Sequence, residues 1–208
     1  MDSGPAADVS GWHGQRPAPR GAYLLLATTG MRRGEALGLG WQDVDLDAGR
    51  ASIRQTVIAV HHAPTLGTPK TTKGRRTVVL DAGTVAALRE HRKRPAAERL
   101  QMGSGWTDHG LGFCQVDGTM LHPERFSRSF GDAVRRLGLP PIRLHDLRHG
   151  WATIALSAGV HPKVVQERLG HANIAHHVGH LQPRHRQPAR RGGRDGRGAV
   201  LRRPLAIR

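Results

Sequence analysis

Ordered hydrophobic patterning begins near Gly21. AYLLLATTGMRRGEALGL, residues 22–39, clusters apolar positions at helical spacing and breaks at Thr29-Gly30, which predicts two short helices. WQDVDLDAG, 41–49, is a polar turn. RASIRQTVIAV, 50–60, is β-branched and partly alternating, so it is expected as a strand. HHAPTLGTPKTTKG, 61–74, carries turn residues and is expected as a loop, with RRTVVL, 75–80, as the returning strand of a β-hairpin. AGTVAALREHRKR, 82–94, has helical spacing. LGFCQVDGTML, 111–121, suggests a short hairpin around Asp117-Gly118. In 122–139 the apolar positions Phe126, Phe130, Val134 and Leu137 recur at helical intervals. LHDLRHGWATIALSAG, 144–159, is a helix ended by Gly159, with Leu144, Leu147, Trp151 and Ile154 as its buried stripe. HPKVVQERLG, 161–170, is a further helix, with Pro162 suited to its first turn. The pattern is α+β and mainly helical, with a small antiparallel sheet, over residues 21–175.

Charge then changes the picture. The 208 residues carry a formal net charge of +16, which points to a polyanionic partner, nucleic acid first. The charge is uneven: 176–208 hold nine Arg and one Asp, half of the excess. That stretch has no apolar period and is expected as a disordered basic tail. Residues 1–20 lack the basic and apolar regions of a signal peptide and are expected as a flexible leader. The longest apolar run, Ala22 to Ala27, is far short of the roughly 20 residues that span a bilayer. Cys114 is the single cysteine, so no internal disulfide forms, which fits the cytoplasm. It is expected as a buried strand residue.

Candidate chemistry is weak piece by piece. His145 and Arg148 lie three apart on one helix, where a guanidinium fork and an imidazole can both address a phosphate. Such pairs are also common on solvated faces. Arg32 follows Gly30 and has Glu35 three residues on, an ordinary surface pairing by itself. Lys70 sits in the expected hairpin loop, and His171 follows the helix that ends at Gly170. His176, His177 and His180 are close enough in sequence to meet a transition metal, but in an unfolded tail such binding is adventitious, and no metal site is assigned.

Together, and in this order, TGMRRGE, PKT before a strand, LHDLRH and LGH resemble the tyrosine recombinase, or phage integrase, family. WQDVDL and RTVVL fit the same pattern, and the resemblance runs from about Ala22 to Ala175. It implies site-specific DNA strand cleavage and rejoining through a 3′-phosphotyrosyl intermediate, with no cofactor and no metal. It implies double-stranded DNA and other recombinase protomers as partners, with neither a membrane nor a small-molecule substrate. By resemblance, Arg32 and Arg148 clamp the scissile phosphate, and Lys70 protonates the leaving 5′ oxygen. His145 supports proton transfer, His171 hydrogen-bonds the phosphate, and Glu35 orients the first arginine segment.

One expected residue is missing. The family's nucleophilic tyrosine stands about ten residues after the His171 position, where this chain has Leu181. The single tyrosine, Tyr23, precedes Arg32 on an apolar helix and is expected as a core aromatic. Residues 176–184 can be encoded so that a one-base shift reads Thr-Thr-Leu-Asp-Thr-Tyr-Ser-His, with a tyrosine at position 181. The tail is therefore expected to be out of frame and the catalytic domain incomplete. Two alternatives stand beside a cleavage-defective recombinase. One is a non-catalytic DNA-binding remnant that occupies or competes for recombination sites. The other is an unrelated basic protein whose tail binds nucleic acid by charge alone.

Overall fold

The computed structural model describes residues 20–68 and 74–170. Helix α1 (Arg20–Thr29) packs Ala22, Leu25 and Leu26 inward, and α2 (Arg33–Leu37) follows after a turn. The turn is made at Gly30, whose φ is +67°, the left-handed region that costs glycine nothing. The predicted break at Thr29-Gly30 is therefore where the two helices separate.

The sheet region differs from its sequence reading. Strands β1 (Val44–Asp45), β2 (Arg50–Ile53) and β5 (Arg76–Val79) form one antiparallel sheet in the order β1-β2-β5. β3 (Thr56–Val60) and β4 (Ala63–Gly67) form a separate two-stranded hairpin. The expected single strand over 50–60 thus divides at Arg54-Gln55. The side chains at the break explain it: Gln55 Nε2 donates to the Gly38 carbonyl at 2.9 Å, and Arg54 pairs with the buried Asp43 at 3.0 Å. The expected loop over 61–74 holds a turn and a strand instead. His61 and His62 both take positive φ (47° and 65°), the geometry of a two-residue hairpin turn. Pro64 is tolerated in β4 because that strand pairs on one side only among the described residues. The predicted pairing of β2 with the strand at 75–80 holds, in the register Arg50↔Val79 to Ile53↔Arg76.

Helix α3 (Ala82–Met102) is capped by Asp81, whose carboxylate accepts from Thr84 N at 2.9 Å. It runs past its expected end at Arg94. The expected hairpin over 111–121 is reduced to a turn, with Gly118 at φ +79° and Gly118 N donating to Gln115 O. Its only ladder contact is the isolated bridge Cys114↔Met120. Cys114 is half-buried rather than buried, and burial pushes its thiol up to about 11.

Helix α4 (Pro123–Arg136) buries Phe126, Phe130 and Val134 as predicted. Leu137 is 71% exposed, because it caps the helix and no longer shares its inner face. Tyr23 packs its ring against Phe126 and Phe130, with both centroids 5.1 Å away, and is half-buried against the edge of the core rather than within it. On α5 (Leu144–Ser157) the expected stripe is displaced: Leu147 and Trp151 are half-buried and Ile154 is 71% exposed. The buried line runs through Leu144, Arg148 and Ala152, so an arginine occupies the centre of the inner face. α6 (Pro162–Leu169) ends in Gly170 at φ +67°.

The main core joins α1, α2, the β-strands, α3 and α4, while Ala152, Val165 and Leu169 form a second cluster between α5 and α6. Each fully buried Leu or Phe contributes roughly 1.5–3 kcal/mol of transfer free energy. No described helix is long and apolar enough to cross a membrane. The mainly helical α+β class with a small antiparallel sheet is what the structure shows.

Candidate active site

Three guanidiniums gather where the C-terminus of α6 meets the α1–α2 turn. Arg148 is 3% exposed and lies on the buried line of α5. Its Nη1 donates to Gly30 O at 2.5 Å and its Nη2 to Leu169 O at 2.7 Å. Arg32 Nη2 donates to Gly170 O at 3.1 Å, and Arg76 Nε donates to Arg168 O at 2.6 Å. Three successive carbonyls at the end of α6 therefore each hold an arginine from a different element. These are carbonyls that a helix leaves unpaired, at the negative end of its dipole.

Glu35 lies beneath this group, 4% exposed. It accepts from Arg32 N at 2.8 Å, which caps α2, and from Arg32 Nη1 at 2.9 Å. It also takes Arg76 as a fork, through Nη1 at 3.0 Å and Nη2 at 2.8 Å. Burial raises the pKa of Glu35, but hydrogen bonds and charge from Arg76, followed by Arg32, outweigh it and leave the carboxyl below its ordinary 4.5. Burial pushes Arg148 down to about 9, with the Arg32 and Arg76 charges adding to the effect and Glu35 opposing it. Arg148 is still cationic at neutral pH. The Arg32 side chain remains 44% exposed, so the cluster opens to solvent on that side.

His145 stands in the first turn of α5, where Asp146 accepts from Arg143 N at 2.7 Å as the helix cap. His145 is exposed, and its ring meets His149 edge-on at 4.6 Å. Partial burial, then the charges of His149 and Arg148, lower its pKa from 6.5. The shift favours the neutral imidazole, which can donate or accept a proton.

The structure thus brings together Arg32, Glu35 and Arg148, and sets His145 one turn away on the helix that carries Arg148. The shared helix face expected for His145 and Arg148 is split, because Arg148 turns into the core while His145 stays outside. Lys70, His171 and Leu181 lie outside the described residues, as do His176, His177 and His180. Among the described residues no group of three or more His, Cys, Asp or Glu is placed to hold a metal ion.

Sequence reasoning missed Arg76, a side chain 8% exposed. A signal for it was present. Strand alternation in RRTVV puts Arg76 on the same face as the buried Val78, while Thr77 and Val79 face out. It missed Arg168 as well, which lies over the Trp151 ring at 5.1 Å and donates to Val79 O at 2.8 Å, tying α6 to β5.

The fold is that of tyrosine recombinase catalytic domains. The phage integrase family profile matches residues 16–181, and the chain belongs to that family. It is 31% identical over 165 residues to a XerC-like tyrosine recombinase of Caldanaerobacter subterraneus subsp. tengcongensis, covering 74% of this chain and 42% of that protein. It is 31% identical over 154 residues to the integrase of Mycobacterium phage D29, covering 73% of this chain and 40% of that one. The chain therefore spans about two fifths of the length of these relatives. Among solved structures, the Tn1549 transposon integrase in complex with transposon right end DNA superposes with a TM-score of 0.67 at 21% identity, over 78% of this chain and 54% of that one. The XerH site-specific recombinase bound to difH substrate superposes with a TM-score of 0.59 at 26% identity, over 80% of this chain and 43% of that one.

Proposed function

We propose that this chain is the phosphate-handling part of a site-specific DNA recombinase, and that as it stands it binds duplex DNA without cleaving it. The observation that carries the reading is the convergence of Arg32 and Arg148 on neighbouring carbonyls, Gly170 O and Leu169 O. Two guanidiniums so placed suit the two non-bridging oxygens of a phosphodiester. Charge spread over those oxygens in an in-line displacement is stabilised by donors fixed beforehand, and metal-free phosphoryl transfer requires nothing further of them. His145 supports proton movement at the phosphate. Lys70 serves as the acid for the leaving 5′ oxygen, and His171 as a further donor.

The nucleophile is what the chain lacks. Tyr23 is its only tyrosine and is packed among Phe126 and Phe130. Burial pushes its phenol pKa up, against the need of an attacking phenolate. The integrase-like region is 21–175, with a leader before it and an out-of-frame basic tail after it. Its place of action is the cytoplasm, where the DNA is.

A DNA duplex with a nick that traps covalent intermediates tests the reading. The expected result is DNA binding with no covalent adduct, and recovery of the adduct when the gene is restored to the shifted frame. An adduct formed by the chain as it stands would overturn the loss of cleavage, and failure to bind duplex DNA would overturn the whole reading. Tyr23 in its aromatic pocket favours one second reading, a non-catalytic remnant that occupies recombination sites. A full-length relative would separate it: the remnant competes for the same DNA.

A further inference from the structure

We propose that Arg76 is a positioning residue of the phosphate site, fixing Arg32 through Glu35 and fixing the end of α6 through the Arg168 carbonyl. The inference rests on the function proposed above and adds a residue to it. Arg76 lies on β5, away in sequence from the arginine segment of α2 and from the end of α6, yet its guanidinium joins them. Nη1 and Nη2 hold both oxygens of Glu35 at 3.0 and 2.8 Å, and Nε holds Arg168 O at 2.6 Å. Nη1 also reaches Gly74 O at 3.3 Å. Glu35 in turn holds Arg32 Nη1 at 2.9 Å.

The geometry gives each contact a separate task. Without Arg76, Glu35 would be a buried carboxylate whose remaining partner is the half-exposed Arg32, and it would pull that side chain inward or take up a proton. Without the Arg168 contact, the turn from Leu169 to Gly170 would lose one of its three anchors, and those carbonyls are the rests on which Arg148 and Arg32 lie. A planar fork with a third donor at Nε serves both tasks at once. A lysine, with one nitrogen at that depth, can serve only one. Arg76 does not need to touch the phosphate to act, because Glu35 holds Arg32 directly and the Arg168 carbonyl precedes the two carbonyls on which Arg148 and Arg32 rest.

The test uses the full chain with arginine side chains labelled in ¹⁵N, titrated with inorganic phosphate at constant ionic strength. In the wild type, phosphate moves the Nε–Hε resonances of Arg32 and Arg148 saturably. In Arg76→Gln, phosphate affinity falls about tenfold, the scale of one charge-assisted contact, and the Arg32 resonance is displaced before phosphate is added. Arg76→Lys keeps a charge on Glu35, folds, and regains about half of that loss on a logarithmic scale. If Arg76→Gln does not fold, Arg76→Lys carries the test through the same two readouts. Wild-type affinity in the folded variants, with the Arg32 signal unmoved, would overturn the proposal and leave the proposed function standing. Absence of any phosphate response at Arg32 and Arg148 in the wild type would remove the anion site itself, and both readings with it.

Discussion

Replacing Gly30 by alanine will destabilise the fold and loosen the arginine site together. An added Cβ at Gly30 would lie 2.8 Å from Leu169 Cδ2 and 2.8 Å from Trp151 Cε3, closer than real Cβ contacts come. The residue also sits at φ +67°, where an alanine pays about 1–2 kcal/mol against its Cβ. Overpacking against Leu169 and Trp151 adds about 1–3 kcal/mol, for a total of about 2–5 kcal/mol. For a domain of this size that corresponds to a fall in Tm of about 4–20 °C. The Gly30 carbonyl holds Arg148 Nη1, so its displacement will also weaken binding to duplex DNA at fixed salt. Urea denaturation gives the stability, and fluorescence anisotropy on a labelled duplex gives the affinity. Gly131→Ala is the matched control: it lies within α4 with no atom near its missing Cβ, and it should gain about 0.5–1 kcal/mol. A Gly30→Ala protein within about 1 kcal/mol of the wild type would refute the steric reasoning.

Other outcomes follow from the same contacts. Glu35→Gln removes a pH dependence: because the folded carboxyl lies below its ordinary 4.5, its contribution is fully present above that pH and is lost as pH falls through the folded value. Urea midpoints of the wild type and Glu35→Gln, measured from neutral to acid pH, should therefore converge on acidification; a constant gap would count against the Arg76–Glu35 pairing. Arg148→Lys cannot reach both Gly30 O and Leu169 O, so it should cost about 1–3 kcal/mol in denaturation and weaken duplex binding as well. Tyr23→Phe keeps both ring contacts, and denaturation should find it within about 1 kcal/mol of wild type with unchanged DNA affinity; a marked loss of DNA binding would give Tyr23 a role beyond the core.

Much of this architecture was legible in the sequence, for physical reasons that also mark where legibility stopped. Helix ends announced themselves where a glycine had to turn left-handed, as at Gly30, Gly159 and Gly170. Phe126, Phe130 and Val134 could be placed because their spacing of four matches the helical repeat. The strands were harder. Residues 50–60 read as one apolar run, and only the partners of Arg54 and Gln55, distant in sequence, divide it between two sheets. The same limit applies to the site. Arg32, Glu35 and Arg148 stood out by their motifs, but the burial of Arg148 did not. A guanidinium in the inner line of α5 is affordable only because Gly30 and Leu169 offer carbonyls there, and local pattern does not carry that information. Arg75 and Arg76 are chemically identical in the sequence, and only strand alternation separates them.

The anchoring of three arginines on the last carbonyls of α6 has a kinetic consequence. Arg32 and Gly170 are 138 residues apart, and Arg76 and Arg168 are 92 apart. Loop closure over such separations is slow and is repaid only after the intervening elements have condensed. The main core reaches from α1 to the first turn of α5 and includes no residue of α6, so it can form without these contacts and the arginine cluster is a late product of folding. Anion affinity regained during refolding will then lag behind the recovery of helical signal, and the interval between the two will time the docking of α6.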